Sequence, residues 1–294
     1  MPVSLACMAL SVRRAGYYEY HNTDAVSIRE QKQATKDELV SSLKKIRAKK
    51  KKYGVARLRL KLLADNKEKG YTDKPSYGKI YKLCSKNGLL QKTRTPKGIT
   101  KQDPKAQASE DLVKRDFTAD APNKKWLGDI SEVACKDGIL YIAPIMDCFD
   151  GAIVGLSMGS NKKAELCKNA LDAAVMRYGK SDGLLFHSDR GSQYTSNLYR
   201  NRLDTLNIRQ SMGKTGSCYD NARMESFFAT LKKELVYDLD YKNMTRAELR
   251  ARIFAWIETE YNRDRLYSAN DEHMPPLIKR ALFYDAYSIV DEAA

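Results

Sequence analysis

Trp126-Leu127-Gly128-Asp129-Ile130-Ser131-Glu132-Val133 opens the part of the chain whose pattern decides the fold. It is an apolar, partly β-branched run, and two more follow it, Ile139 to Met146 and Ala152 to Met158. Lys136-Asp137-Gly138 and Asp150-Gly151 separate the three. Short β-branched runs split by glycine-containing turns predict a three-stranded meander. Beyond it, Ala164, Leu171 and Val175 predict a helix, Gly183 to His187 a strand, Ser196 to Leu206 a capped helix, and Ile208 to Met212 another strand. A final helix runs from about Asp220 to Lys232, with Phe227, Phe228 and Leu231 as core positions. The resulting order is β-β-β-α-β-α-β-α.

That order predicts an α/β domain with a ribonuclease H-like catalytic core, a mixed five-stranded sheet with flanking helices. Towards the N-terminus the texture changes. Leu39, Leu43 and Ile46 are spaced by four and three, and Leu58, Leu62 and Leu63 repeat the helical pattern. The segment Tyr71 to Leu90 has a turn at Asp73-Lys74-Pro75, Ser76 as N-cap, Ile80, Leu83 and Cys84 as apolar face, and a stop at Asn87-Gly88. An all-α, helix-turn-helix-type module is expected over 1–90. Between 91 and 123 large apolar residues are scarce and Lys, Pro, Thr, Gln and Asp dominate, which reads as a basic linker. The catalytic core is expected over 124–236 and a C-terminal helical extension of it over 237–294.

Charge separates these parts. Residues 1–125 hold 30 Lys and Arg against 13 Asp and Glu, a net +17, whereas residues 126–294 hold 22 against 24, a net −2. Clustered cations release counterions from a polyanion, so the first part points to nucleic acid. The run Lys49-Lys50-Lys51-Lys52 is either a solvated surface or a phosphate contact. The six cysteines are scattered without a CxxC pair, so neither a zinc site nor a disulfide framework is indicated. No apolar run is long enough to span a bilayer and no signal peptide opens the chain, so no membrane association and a cytoplasmic location are expected.

Three acids stand at informative places. Asp129 lies in the first strand. Asp189 follows the fourth, in His187-Ser188-Asp189-Arg190-Gly191-Ser192-Gln193-Tyr194. Glu225 sits near the start of the last helix. Three carboxylates suit Mg²⁺ or Mn²⁺, which prefer oxygen ligands and, as a pair, stabilise attacking and leaving oxygens in phosphoryl transfer. Lys232 is seven residues beyond Glu225, two helical turns, and so shares its face; Asn221 is four before it on that face. His187 reads as a structural or positioning residue, and Asp147 and Asp150 as structural acids near a strand end and in a turn.

These residues resemble the DDE transposases of bacterial insertion sequences, specifically the integrase-like second-frame product of the IS-three group. Cys7-Met8-Ala9-Leu10-Ser11-Val12-Arg13-Arg14-Ala15-Gly16-Tyr17-Tyr18 is similar to the family's opening signature, and Tyr53-Gly54 with Arg57 to its helix-turn-helix element. Trp126 with Asp129, the His187–Tyr194 run, and Tyr219-Asp220-Asn221-Ala222 with Glu225-Ser226-Phe227-Phe228 resemble its core motifs. Tyr261-Asn262-Arg263-Asp264-Arg265 resembles a further motif but continues Leu266-Tyr267 where the usual pattern has Pro-His.

The resemblance implies that Asp129, Asp189 and Glu225 are the catalytic, metal-binding triad for two Mg²⁺ (or Mn²⁺). It implies that Lys232, Asn221, Arg190, Lys79, Lys82 and Arg57 face DNA. It also implies strand cleavage and strand transfer on terminal inverted repeats and target DNA, a homo-oligomer on paired ends, and a bacterial, nucleoid-associated location. An upstream first-frame helix-turn-helix protein is implied as partner or frameshift fusion. The alternative is a non-catalytic DNA-binding regulator of transposition, against which three intact carboxylates speak. A retroviral-type integrase is the enzymatic rival; it lacks support because no N-terminal His/Cys zinc pattern is present.

Overall fold

The computed structural model describes residues 2–21, 23–68, 74–91, 110–213 and 221–292. The chain forms two compact units, Met1–Arg94 and Thr95–Ala294. Among the described residues no helix is long and apolar enough to cross a membrane.

Among the described residues the first unit has helices and no strand: α1 (Val3–Ala9), α2 (Arg14–His21), α3 (Thr23–Lys49), α4 (Val55–Glu68) and α5 (Tyr77–Lys86). Leu39, Leu43 and Ile46 of α3 are buried with Leu58 and Leu62 of α4 and Ile80 and Cys84 of α5, as their spacing requires. Ser76 caps α5 by accepting the Lys79 N–H, and Gly88 beyond its end adopts φ +66°. Arg47 donates to the carbonyls of Lys51 (2.9 Å), Tyr53 (2.5 Å) and Leu89, so one guanidinium ties the lysine-rich turn to the end of α5. Asp73, expected in the turn before α5, lies outside the described residues.

The second unit is a sheet between two helical layers. Its strands are β1 (Lys125–Gly128), β2 (Ser131–Cys135), β3 (Gly138–Asp147), β4 (Ile153–Gly159), β5 (Leu185–Ser188) and β6 (Arg209–Met212). Its helices are α6 (Ala164–Tyr178), the single turn α7 (Ser192–Thr195), α8 (Asn197–Thr205), α9 (Ala222–Glu234), α10 (Arg246–Trp256) and α11 (Pro276–Glu292). The order is β2-β3-β1-β5-β6 with β4 on the other side of β3; β1, β5 and β6 run parallel and the rest antiparallel. β1 and β2 pair with β3 in one continuous register, Gly128 facing Ile145 and Ser131 facing Ile142, so six segments fill five positions. This is the ribonuclease H-like arrangement.

One expectation is corrected here. Trp126 to Val133 is not one strand, because pairing lapses at Asp129 and Ile130. Continuing the register places Asp129 opposite Pro144, the one residue of β3 without a backbone N–H. Asp129 therefore leaves the ladder, and its carboxylate accepts the Ile130 N–H at 2.8 Å.

Alternation along the strands feeds two cores. Leu127, Ile142 and Met146 pack with Met224, Phe227 and Leu231 of α9 and with Leu249, Ile253 and Trp256 of α10. Trp126, Ala143 and Ile145 pack on the opposite face with Leu171 and Ala174 of α6 and Tyr199 and Leu203 of α8. The segment beyond 237 thus shares the core of the sheet. Of the stretch 91–123, residues 92–109 lie outside the described residues, whereas the part from Glu110 onward packs on this unit. Val113 is buried, and the Leu112 N–H donates to Ser211 Oγ at 2.9 Å beside β6.

α10 starts at a capping box: Thr245 Oγ1 accepts the Glu248 N–H (3.3 Å), and the Glu248 carboxylate accepts the Thr245 N–H (2.8 Å). Thr245→Ala is expected to cost about 1 kcal/mol and to lower the thermal midpoint by about 2–4 °C in a melt. An unchanged midpoint would show that the box adds nothing.

Candidate active site

β1 and β5 are parallel neighbours with Lys125 beside Leu185, Trp126 beside Phe186 and Leu127 beside His187. Carried two residues further, the same register sets Asp129 beside Asp189, both just past the ends of their strands. Adjacent strands lie about 4.8 Å apart, so the two carboxylates emerge as a pair. Gly128 makes the approach possible: a Cβ there would stand 2.4 Å from the Phe186 ring. Asp189 Oδ1 accepts the Gly191 N–H at 3.0 Å, which fixes the turn into α7.

Glu225 comes from the first turn of α9 and is exposed. The residues just before the helix, including Tyr219 and Asp220 of the expected motif, lie outside the described residues. Asp129 carries the electrostatic signature of the cluster. Burial first, then the charges of Asp189 and Glu225, push its carboxyl up to about 7, against the Ile130 N–H and the charge of Lys162. Two members of the environment were not singled out from the sequence. Lys162, in the turn before α6, lowers the Asp129 pKa, and Glu132 on β2 acts on Lys232. Neither stands in a recognisable motif, so only the folded register reveals them.

Lys232 is half-buried on α9; burial lowers its pKa, and Glu132 and Asp129 raise it. It therefore stands on the carboxylate side of the helix, as the seven-residue spacing requires. Asn221 is turned inward: it is buried, and its Nδ2 donates to the Gly128 carbonyl at 3.4 Å. This amide ties the start of the Glu225 helix to the residue before Asp129. Arg190 donates through Nε to the Gly213 carbonyl at 2.8 Å. Lys79 and Lys82 are exposed on α5 and Arg57 is half-buried on α4, all in the other unit. His187 is buried, with Nδ1 2.9 Å from Ser211 Oγ, and has a structural place between β5 and β6.

The donor set is all carboxylate, suited to a hard divalent cation. The raised Asp129 pKa marks a local excess of negative charge that such a cation relieves. Among the described residues, however, no three His, Cys, Asp or Glu side chains converge closely enough to hold one ion. Asp129 and Asp189 bring carboxylate oxygens to neighbouring strand ends, donor chemistry that fits a hard divalent cation, whereas Glu225 is exposed on α9.

Asp147 and Asp150 are elsewhere and otherwise engaged. Both are fully buried and share Arg280 of α11, with Nη2 2.6 Å from Asp147 and Nε 2.6 Å from Asp150. The Tyr-Asn motif is also structural: Asn262 is buried, accepting the Ile153 N–H at 2.9 Å and donating to the Ile153 carbonyl at 3.0 Å. Tyr267, where the sequence departs from Pro-His, lays its ring on Gly151, whose φ of +79° and close ring contact admit no side chain.

The Integrase core domain family matches residues 119–218, and a second family of the same description matches 206–275. The transposase InsF for insertion sequence IS3A of Escherichia coli (strain K12) is 34% identical over 268 residues, 90% of each chain. The chain belongs to the IS3-type transposases. Within that family, the transposase for insertion sequence element IS904 of Lactococcus lactis subsp. lactis (strain IL1403) is 43% identical over 164 residues. That match spans 56% of this transposase and 64% of the relative. Among solved structures, the HTLV-2 integrase catalytic core domain in complex with magnesium aligns with a TM-score of 0.44 and 19% identity, over 55% of this chain and 99% of that one.

Proposed function

We propose that this IS3-type transposase cleaves DNA strands at the ends of an insertion sequence and joins them to target DNA, with Asp129, Asp189 and Glu225 as its catalytic carboxylates. The observation that carries the reading is the pairing of Asp129 and Asp189 beyond adjacent parallel strands, in an environment that raises the Asp129 carboxyl to about 7. Asp129 and Asp189 would hold Mg²⁺ or Mn²⁺, two ions when Glu225 joins them from α9. Bound there, the metals supply Lewis-acid stabilisation of the attacking and leaving oxygens of a phosphodiester.

The chain's own residues do the rest. Asn221 and the Gly128 backbone set the distance between the Glu225 helix and Asp129. Lys232, on the carboxylate side of α9, is placed to meet a DNA phosphate near the reacting group. Lys79, Lys82 and Arg57 belong to the cationic helical unit, and through them that unit contacts DNA. Arg190, the residue after Asp189, keeps the segment after β6 in place through Gly213 and is a further DNA contact beside the carboxylates. The active form is a homo-oligomer on paired ends, with an upstream first-frame protein as partner or fusion, working in the cytoplasm on nucleoid DNA.

The test is divalent-metal-dependent nicking and strand transfer on DNA carrying the element's ends, wild type against Glu225→Gln. Activity that disappears in the variant while DNA binding persists is the expected result. Binding without cleavage by both proteins, with the upstream partner supplied, would make the chain a regulator.

A further inference from the structure

We propose that Lys162, in the turn before α6, is a further DNA contact of the reaction, holding a phosphate on the side of the cleaved bond opposite the one that Lys232 holds. The inference rests on the reading above that Asp129 and Asp189 are the reacting centre, and adds a residue that stands in no motif.

The two lysines come from elements on opposite faces of the sheet. α9, which carries Lys232, packs through Phe227 and Leu231 on one face, and α6 packs through Leu171 and Ala174 on the other. The seat of α6 is close: a Cβ at Gly155 of β4 would stand 2.4 Å from the Ala170 carbonyl oxygen and 2.8 Å from the Ala174 methyl. The turn from β4 into α6 is therefore fixed against the sheet. It is also tied to the Asp189 loop, because Gln193 Nε2 donates to the Lys162 carbonyl at 3.1 Å. The other end of that amide crowds Gly191, where a Cβ would stand 3.1 Å from Gln193 Oε1 and 3.0 Å from Asp189 Oδ1. One side chain thus joins the backbone of Lys162 to the turn that carries Asp189.

The Lys162 side chain is exposed and belongs to neither core. Asp129 nonetheless feels its charge, just as Lys232 feels that of Asp129. The carboxylate end of the sheet is therefore bracketed by two ammonium groups, one from each face. From Gly159 to Ala164 the turn holds Lys162 and Lys163 and no Asp or Glu, so an anion approaching it meets no competing carboxylate. A nucleic-acid strand answers this arrangement. It carries a phosphate on either side of the one that reacts, and a strand laid across the end of the sheet brings one flanking phosphate towards each face, where a lysine neutralises it.

The test uses the full chain with Mg²⁺ and a fluorescently labelled duplex taken from the element's ends, in which single phosphates around the cleaved bond are replaced in turn by neutral methylphosphonates. Affinity is read in the Glu225→Gln background, so that cleavage does not intrude, and cleavage is read separately in the otherwise wild-type chain. Lys162→Gln is expected to weaken binding of the unmodified duplex about three- to tenfold, to flatten the salt slope by about one and to become indifferent to one particular methylphosphonate. Lys162→Arg should restore both affinity and slope. Lys232→Gln should become indifferent to a different methylphosphonate, on the other side of the cleaved bond. An unchanged slope in Lys162→Gln, or two positions on the same side of the bond, overturns the inference. A Lys162→Gln chain that melts several degrees below wild type in metal-free buffer, yet binds the duplex with wild-type affinity, overturns it too and makes the lysine a counter-charge for Asp129. In each case cleavage by the wild-type chain leaves the proposed function standing. A wild-type chain that neither binds nor cleaves the duplex, with its partner supplied, overturns both.

Discussion

Arg280→Met is expected to destabilise the second unit by about 4 kcal/mol, lowering its thermal midpoint by roughly 10 °C. The reason is an excess of buried acid. Asp147 and Asp150 are fully buried, and Arg280 lies 2.6 Å from each. Asp147 also accepts the Asn123 N–H (2.7 Å), the Phe149 N–H (3.0 Å) and the Trp126 indole N–H (3.3 Å). These bonds satisfy its oxygens but bring no full charge. Removing the guanidinium leaves two carboxylates a few residues apart in an apolar surrounding with no cation, the situation in which a broken buried pair costs most. Even with Arg280 present, burial holds the Asp150 carboxyl up at about 6. A folded pKa above the unfolded value means that the folded state binds the proton more tightly, so stability is fully present below about pH 4 and declines as pH rises through 6. Without Arg280 the decline steepens, and the deficit of the variant should be larger at pH 8 than at pH 5. Adding Asp147→Asn and Asp150→Asn to Arg280→Met should recover much of the loss. A midpoint within 2 °C of wild type at pH 8 for Arg280→Met alone would show that the network is not what holds α11 to the sheet.

That network also shows where the sequence was readable and where it was not. Strands, helices and caps were legible because they rest on local chemistry: β-branched runs between glycine turns, Ser76 and Ser196 at N-caps, Leu39 and Leu43 a helical turn apart. Both Ser hydroxyls accept the expected backbone N–H, from Lys79 and Tyr199. The lapse of pairing at Asp129 was not legible, since it depends on Pro144 arriving opposite it from another strand. The family resemblance implies that Asn221 faces DNA, and helical spacing sets it on the Glu225 face; its amide donates to the Gly128 carbonyl, because the cap position of α9 meets the end of β1. The stretch from Glu110 was read as linker from its polarity, and packs through a few contacts such as Val113 and Leu112 that composition does not weigh. Arg280 lies 133 and 130 residues from its two partners, and no spacing rule reaches across that distance. The carboxylates themselves were found through motif resemblance; their mutual repulsion became visible only with the parallel register of β1 and β5.

Asp129→Asn is expected to abolish DNA cleavage and at the same time make the metal-free protein more stable, opposite effects from one substitution. Under the proposed function, losing a metal-holding carboxylate removes several kcal/mol of transition-state stabilisation, a rate loss of about a thousand-fold or more. The stability gain follows from the sign of the pKa shift. The Asp129 carboxyl stands at about 7 when folded, raised by burial and by Asp189 and Glu225. An acid with a raised folded pKa favours the folded state below its unfolded pKa and loses that contribution as pH climbs from about 4 to 7. At pH 8 the ionised Asp129 therefore opposes folding, by on the order of 2–3 kcal/mol after allowance for relaxation of a strongly interacting group. Asparagine removes the charge and keeps the oxygen that accepts the Ile130 N–H. In metal-free buffer the variant should melt several degrees above wild type at pH 8 and converge on it near pH 4. Mg²⁺ or Mn²⁺ should raise the wild-type midpoint and move the variant much less, because the cation relieves the repulsion that asparagine has already removed. An Asp129→Asn protein that melts below wild type at pH 8 would mean that the carboxylate is anchored by the fold itself. Retained cleavage in that variant would move the catalytic centre away from the β1–β5 pair altogether. The same repulsion that makes this end of the sheet costly to fold is what, under the proposed function, a bound cation would relieve.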